Sequence, residues 1–210
     1  MPAPPPARLP ARPADCHKGE FGAVGVLGGA PGMAGAAVLA GRAALACGAG
    51  RVYLGMLDAR VALDPATPEL MVASPDRMLA LPGPACLVAG PGLGHSAAAR
   101  DWLLAALSLD HALLLDADAL NLLAGDGGLM ARVPARSAPT VITPHPGEAA
   151  RLLGESVAAV QADREGAVDR LLRLTGATVV LKGAHTLVRH PGGEAWRNNT
   201  GNPGMAAPGM

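Results

Sequence analysis

Five short segments of the sequence combine glycine with residues that could bind a polar ligand. They are GGAPGMAGAA (28–37), GPGLG (90–94), DADALN (116–121), TPHPGE (143–148) and KGAHT (182–186). Each follows a short apolar run, and open parallel sheets bind ligands at the carboxyl ends of their strands. A glycine-rich turn after one strand is common, but five such turns after successive strands indicate a binding site.

The GPGLG segment, from Gly90 to Gly94, has the backbone freedom that close approach to a ligand requires. Its glycines would let main-chain amides reach a pyrophosphate or a ribose at the start of the following helix. The segment is not a P-loop, because no GK[ST] follows it, and it lacks the full spacing of the dinucleotide fingerprint. The sequence therefore disfavours a Rossmann dehydrogenase.

The DADALN segment places Asp116 and Asp118 at the end of a predicted strand, with Asn121 one helical turn further on. Carboxylates in this position could hold Mg²⁺ through water, since magnesium prefers oxygen ligands and keeps much of its hydration shell. Asp118 has an alternative role as the cap of a helix that begins at Ala119. For Asp116 we favour an active-site role.

The TPHPGE segment holds His145 between two prolines, which restrict the backbone on both sides. His145 could hydrogen-bond a polar ligand, or it could be a turn histidine bonded to the backbone. Glu148 could serve a metal and phosphates, or it could complement the dipole of the next helix. Asp116 and Glu148 are therefore the two candidate Mg²⁺ ligands.

The KGAHT segment offers a cation and a hydroxyl, Lys182 and Thr186, on either side of flexible backbone. These two side chains could bind nucleotide phosphates, while Gly183 permits close approach of the main chain. The segment is weak evidence when taken alone.

The elements that must position these segments alternate between short apolar strands and Ala/Leu-rich helices, as in a parallel sheet covered by helices on both faces. The predicted strands are Ala23–Gly28, Arg51–Leu57, Cys86–Gly90, Ala112–Asp116, Thr140–Thr143, Val179–Lys182 and Thr186–His190. The predicted helices are Met33–Cys47, Ser96–Leu107, Asp118–Ala124, Gly147–Leu153 and Val157–Thr175.

Composition excludes several classes of function for this 210-residue chain. Aromatic residues make up only 2% and the formal net charge is zero, so base stacking and tracking of a phosphate backbone are both disfavoured. Cys16, Cys47 and Cys86 have no CxxC spacing, which argues against a disulfide framework or a zinc site. No apolar run approaches the roughly 18 residues of a membrane span, and we expect a cytoplasmic protein.

Read together, the motifs resemble the ADP/ATP-dependent NAD(P)H-hydrate dehydratase family of the ribokinase-like superfamily. The motifs that carry the resemblance are HKGEFGAVGVLGGAPGMAGAAVLAGRAALACGAG, PELMV, VAGPGLG, LLLDADALNLL, VITPHPGEAARLLG, VVLKGAHTLV and TGNPGMA. They cover nearly the whole chain from His17 onward. Because several long motifs agree in order and spacing, the resemblance is specific.

The resemblance implies a nicotinamide-nucleotide repair enzyme, a hydro-lyase that consumes ADP or ATP with Mg²⁺ to dehydrate the S form of NADH or NADPH hydrate. Phosphorylation of the ring hydroxyl and loss of phosphate would be driven by positioning and electrostatics. By motif, Ala36, Gly94 and His145 would contact the hydrate. The nucleotide would contact Lys182, Gly183, Ala184, His185 and Thr186.

The resemblance also sets expectations for the two ends of the chain. Residues 1–15 hold six prolines and are expected to be a tail or a linker, as in family members fused to an epimerase domain, with the dehydratase domain at 16–210. The family pattern continues to GxGD, whose aspartate is the expected base and would lie beyond Met210. We therefore expect these 210 residues to bind the hydrate with little turnover. We also expect a homo-oligomer.

Two alternatives to the dehydratase assignment follow from the same residues. One is a sugar or hydroxymethylpyrimidine kinase of the same superfamily, which would share the sheet and the nucleotide site. The other is a non-catalytic relic that binds nucleotide or a longer homologue.

Overall fold

The computed structural model describes residues 11–193 and 195–205, and these residues form one nine-stranded sheet with helices packed against it. The strands are β1 (Ala23–Gly28), β2 (Arg51–Met56), β3 (Met71–Ala73), β4 (Cys86–Ala89), β5 (Ala112–Leu115), β6 (Thr140–Ile142), β7 (Thr178–Leu181), β8 (Thr186–Arg189) and β9 (Ala195–Asn198). The helices are α1 (Ala34–Ala46), α2 (Pro75–Leu79), α3 (Ala97–Leu107), α4 (Asp118–Gly125), α5 (Gly127–Met130), α6 (Pro146–Leu153), α7 (Val157–Ala162) and α8 (Arg164–Thr175). Short 3₁₀ helices occupy Lys18–Phe21 and Pro203–Met205.

The sheet is mostly parallel, as the sequence predicts. Its strand order is β3-β2-β1-β4-β5-β6-β7-β8-β9, with β1 to β7 parallel and only the last two strands pairing antiparallel. The chain runs outward from β1 to β3, crosses back to place β4 beside β1, and then runs outward on the other side. This reversal between β1 and β4 is the point at which doubly wound sheets form a ligand crevice.

Helices lie on both faces of the sheet, but they cover the two faces unequally. Side chains of α1 pack with Val26, Val52 and Leu54 in the smaller hydrophobic core. Every other described α-helix contributes to the larger core on the opposite face, which holds Leu27 and Leu113. Val26 and Leu27 enter different cores because consecutive residues of a strand point to opposite faces.

The structure adds four elements that the sequence did not predict. These are β3, α2, α5 and β9, each of which has five residues or fewer. The predicted helix from Val157 to Thr175 is two helices, α7 and α8, because the chain turns at Asp163. That residue has φ −135° and its carboxylate accepts a hydrogen bond from the amide of Gly166, which caps the second helix.

Residues 1–10 of the predicted tail, which runs from 1 to 15, lie outside the described residues. From residue 11 the chain contacts the domain through Arg12. Its guanidinium carbon lies 4.0 Å from the ring centre of Phe21, and Nη2 donates to the carbonyl of Gly48 at 2.6 Å. The final APGM segment, 207–210, also lies outside the described residues.

No helix in the described part of the chain has both the length and the apolar character needed to cross a membrane.

The contact between β1 and the loop after β4 generates a stability prediction for Gly28. A Cβ added there would lie 2.1 Å from the carbonyl oxygen of Pro91, a backbone atom that cannot rotate away. Gly28→Ala should therefore lower the free energy of unfolding by about 2–3 kcal/mol, measured by urea denaturation followed by circular dichroism. The matched control is Gly35→Ala in α1, where a Cβ meets no atom within 4 Å; it should be neutral or stabilise by up to about 1 kcal/mol. Equal effects of the two substitutions would contradict the steric argument.

Candidate functional site

The loops that follow β1, β4, β5, β6 and β7 begin side by side at one edge of the sheet. Main-chain hydrogen bonds continue the ladder past the strand ends, so that each loop is tied to its neighbour. The donor and acceptor pairs are Gly90 N to Leu27 O, Asp116 N to Ala89 O, Thr143 N to Leu115 O and Lys182 N to Pro144 O, at 2.8–3.1 Å. The five segments singled out in the sequence therefore form one continuous surface.

The loops after β1 and β4 touch each other at the reversal of the strand order. The amide of Gly29 donates to the carbonyl of Pro91 at 3.1 Å, and the amide of Ala30 donates to the carbonyl of Gly92 at 2.7 Å. Gly92 has φ +61°, and a Cβ on it would lie 2.4 Å from the carbonyl oxygen of Met33. Only glycine permits this close packing of the two loops.

Ala36 and Gly94, the first two candidate hydrate contacts, both lie in this crevice. Ala36 is in the first turn of α1, and its Cβ would be 3.1 Å from a Cβ on Gly92. Gly94 has φ +74°, and a Cβ on it would lie 3.4 Å from the side chains of Ala30 and Met33. The structure therefore brings these two predicted residues together through Ala30, Met33 and Gly92.

Asp118 fixes the backbone of Gly94. Its Oδ2 accepts a hydrogen bond from the amide of Gly94 at 2.8 Å, and its Oδ1 lies 3.4 Å from Nε2 of His95. The alternative role as a helix cap is wrong, because α4 begins at Asp118 itself and its cap residue, Ala117, makes no side-chain capping bond. No local pattern predicts this contact, because 24 residues separate the two partners.

His145, the third candidate hydrate contact, caps α6. Its Nδ1 accepts hydrogen bonds from the amides of Gly147 and Glu148, at 2.9 and 3.3 Å. Oε2 of Glu148 accepts from the amide of His145 at 2.8 Å, which completes a capping box. Because Nδ1 is an acceptor, a neutral His145 carries its proton on Nε2. The ring is half-exposed and bonds the backbone through Nδ1, while Nε2 lies 3.4 Å from Oε1 of Glu148. A ligand that accepted from Nε2 would compete with this carboxylate oxygen.

Lys182 joins the two candidate metal ligands. Its Nζ lies 2.6 Å from Oδ1 of Asp116 and 3.9 Å from Oε2 of Glu148. This contact spans β6, because Asp116 follows β5 and Lys182 follows β7. Within residues 11–193 and 195–205, no three His, Cys, Asp or Glu side chains form a group that could hold a metal ion.

The remainder of the KGAHT segment forms a strained turn beside a cavity of about 380 Å³. Gly183 has φ +130°, His185 has φ +56°, and the hydroxyl of Thr186 donates to the carbonyl of Gly183 at 3.0 Å. The cavity is lined by Gln161, Ala162, Asp163, Arg164, Glu165, Ala184, His185, Leu187 and Arg197. Lys182 therefore faces Asp116 and Glu148, whereas Ala184 and His185 face this cavity.

Arg164 holds the start of the KGAHT turn and was missed in the sequence. Its Nη2 donates to the carbonyls of Leu181 and Lys182, both at 3.2 Å, and a Cβ on Gly183 would lie 3.3 Å from Nη1. Burial lowers the pKa of Arg164, and the nearby charge of Arg197 lowers it further. The only signal for this role was an arginine within the predicted helix Val157–Thr175, and that position alone suggests no ligand site.

Asp58 is a second missed residue at the same edge of the sheet. It is buried, and its amide donates to the carbonyl of Gly29 in the loop after β1. The side chain and the amide of Arg60 both hydrogen-bond its carboxylate and lower its pKa to about 2. The backbone bond to Gly29 ties the chain after β2 to the loop that leads to Ala36, and the ion pair holds the side chain of Asp58 in place.

The sheet order and the crevice at its reversal define a ribokinase-like α/β protein. A sequence model of the NAD(P)H-hydrate dehydratase family matches residues 24–210. The chain belongs to that family.

Comparison with similar proteins shows how much of their length this chain matches. An ADP-dependent (S)-NAD(P)H-hydrate dehydratase from Neisseria meningitidis is 44% identical over 204 residues, which are 95% of this chain and 68% of the relative. The bifunctional NAD(P)H-hydrate repair enzyme of Coxiella burnetii is 41% identical, over 96% of this chain and 41% of its own length. A similar solved structure is that of the ADP/ATP-dependent NAD(P)H-hydrate dehydratase from Bacillus subtilis, co-crystallised with ATP/Mg²⁺. It superposes with a TM-score of 0.81 at 31% identity, and the match covers 96% of this chain and 72% of that one.

The pKa of Asp58 leads to a prediction about acid stability. Its folded-state pKa of about 2 lies below the ordinary value of 3.8, so its ionisation stabilises the fold above pH 3.8 and this stabilisation is lost as the pH falls toward 2. Asp58→Asn should be less stable than the wild type near neutrality, and the difference should shrink through this acid range. Urea unfolding at a series of pH values measures it.

Arg60→Gln removes the partner of Asp58 and should flatten the same part of the stability profile. A difference between wild type and Asp58→Asn that stays constant from pH 5 to pH 2 would show that Asp58 does not titrate in this way.

Proposed function

We propose that this chain acts in the ADP- or ATP-dependent dehydration of (S)-NAD(P)H hydrate, with the hydrate at Ala36, Gly94 and His145 and the adenine nucleotide at the segment from Lys182 to Thr186. One observation carries the proposal: both sets of residues follow adjacent parallel strands at a single edge of the sheet. A crevice at the reversal of strand order lies beside a turn suited to nucleotide contact.

The hydrate half of the proposed site supplies a fixed backbone surface and one side-chain donor. Gly94 is held by Asp118, and Ala36 presents only a methyl group against the neighbouring loop. Nε2 of His145 can donate to a hydroxyl or an amide oxygen of the ligand, because Nδ1 is already used as an acceptor. These groups bind and orient the ligand, which is what a reaction governed by positioning requires.

The nucleotide half of the proposed site combines an unusual backbone with charged side chains of both signs. Gly183 and His185 have positive φ values, which turn the main chain sharply at the end of β7. Arg164 and Arg197 line the cavity beside this turn, and they bring two guanidinium groups close to Ala184 and His185. Acidic side chains also line the cavity, and Nη2 of Arg197 donates to Oε1 of Glu165 at 2.7 Å. The anionic part of a nucleotide would bind these guanidinium groups in exchange for such partners.

Magnesium would enter this reaction with the nucleotide phosphates. The candidate ligands Asp116 and Glu148 do not fit the ion as they stand, because Lys182 bonds the first and the capping box holds the second. Magnesium commonly keeps several waters and binds through substrate phosphates. Bound there, it would neutralise phosphate charge.

Fusion to an epimerase domain and homo-oligomer formation stay predictions for this chain. The name of the Coxiella relative describes a bifunctional enzyme, and the chain spans 41% of its length.

A binding and turnover experiment tests the proposed function. We expect the 210-residue chain to bind hydrated NADPH and ADP in separate calorimetric titrations. We expect any recovery of reduced-ring absorbance from hydrated NADPH to depend on added ADP or ATP. Absence of both binding events in a folded chain, or phosphorylation of small alcohols without attack on the hydrate, would contradict the proposal.

The capping role of His145 permits a sharper test of the hydrate half. His145→Asn keeps an oxygen acceptor for the α6 amides, since asparagine is a good helix cap, but it removes the Nε2 donor. Thermal stability should stay close to that of the wild type, while affinity for hydrated NADPH falls about tenfold.

His17→Asn is the matched control for this substitution. His17 caps the 3₁₀ helix Lys18–Phe21 with the same capping box, formed with Glu20, but it lies outside the proposed site. It should leave hydrate affinity unchanged. A loss of stability in His145→Asn as large as its loss of binding would reduce His145 to a structural cap.

A further inference from the structure

The ammonium group of Lys182 occupies the space between the two carboxylates that the sequence offers to a metal ion. Its Nζ is 2.6 Å from Oδ1 of Asp116 and 3.9 Å from Oε2 of Glu148. Glu148 is almost fully buried, whereas the side chains of Lys182 and Asp116 are 39% and 29% exposed. The lysine is therefore a partly solvated cation that covers a buried carboxylate.

Three of the four carboxylate oxygens of this pair already lie near a donor. Oδ1 of Asp116 accepts from Lys182, and Oε2 of Glu148 accepts from the amide of His145 at 2.8 Å. Oε1 of Glu148 lies 3.4 Å from Nε2 of His145. A magnesium ion needs oxygen ligands at about 2.0–2.1 Å in near-octahedral geometry. It could bind both carboxylates only if the lysine moved away and the cap of α6 opened.

We propose that Lys182 is the built-in counter-cation of Asp116 and Glu148, and that its ammonium excludes a divalent ion from between them. Lys182 is then a positioning residue that neutralises the carboxylates and keeps Glu148 free to hold His145. The proposal rests on the proposed function only for the choice of ion. Its consequence is that a divalent ion joins the site together with a nucleotide and not before it.

Removal of the ammonium should convert the pair into a metal site. Lys182→Met keeps the length of the side chain and removes its charge, so two facing carboxylates lose their cation. Repulsion between a divalent ion and a unit charge about 3 Å away also disappears, and at partial exposure this change should tighten metal binding tenfold or more.

Manganese binding to the nucleotide-free protein tests the inference directly. Mn²⁺ alone is titrated and the free ion is followed by electron paramagnetic resonance. The wild type should show no saturable site tighter than about 1 mM, and Lys182→Met should gain one site that the double variant Lys182→Met with Asp116→Asn loses again. Lys18→Met makes the same charge change in the exposed 3₁₀ helix and should behave like the wild type.

Two outcomes would overturn the inference. One is a tight Mn²⁺ site in the nucleotide-free wild type that Asp116→Asn abolishes, because the carboxylates would then bind metal in spite of the lysine. The other is a folded Lys182→Met variant that gains no site. If circular dichroism shows that Lys182→Met does not fold, the wild type and Asp116→Asn titrations still decide the matter. Neither overturning result bears on hydrate or nucleotide binding, so the proposed function is tested separately.

Discussion

The close approach of two backbones at the reversal of strand order is the constraint on which the candidate site depends. The loop after β1 and the loop after β4 exchange main-chain hydrogen bonds at Gly29 and Ala30, and no Cβ fits at Gly28 or Gly92. Without this contact the first turn of α1, which carries Ala36, would not face Gly94. The chain meets the constraint through glycine in both loops, at the entropic cost that glycine carries in the unfolded state. Burial of the α1 face against β1 and β2 offsets that cost.

Charge connects the two halves of the site across the sheet. Asp116 follows β5, the capping box of His145 and Glu148 follows β6, and Lys182 follows β7. Because Lys182 approaches both carboxylates, a shift of the KGAHT turn would change its contacts with Asp116 and with the Glu148 carboxylate that caps His145. Arg164 holds that turn at the carbonyls of Leu181 and Lys182. A nucleotide that moved the turn would therefore act on the geometry of the hydrate half through hydrogen bonds and without direct contact.

The two faces of the central strands differ in burial although they do not differ in chemistry. Leu113 and Leu115 of β5 are fully buried, whereas Leu114 between them is only partly buried. Val141 of β6 and Val180 of β7 repeat the pattern. Strands that face water on one side normally alternate apolar and polar residues, and these strands do not. Their second face has the composition of a covered surface, and α1 is the described α-helix whose side chains pack in the core on that side.

Sequence reasoning succeeded where the signal is local and failed where the partners are distant. Apolar runs predicted β1 at its observed limits and the ends of the other predicted strands to within one residue. They could do so because a buried parallel strand is a run of consecutive apolar residues. Short elements such as β9 have no such run, and its AWRN sequence has only two apolar residues. The alternation of strands and helices, which predicts a parallel sheet, also placed the five loops at one edge. The role of each side chain at that edge depends on contacts between residues that are distant in the sequence. Asp118 and Gly94 are 24 residues apart, and Lys182 and Asp116 are 66 residues apart. A strand-end lysine read alone suggests a phosphate ligand, whereas the folded chain shows the same lysine paired with a carboxylate that follows a strand two positions away in the sheet.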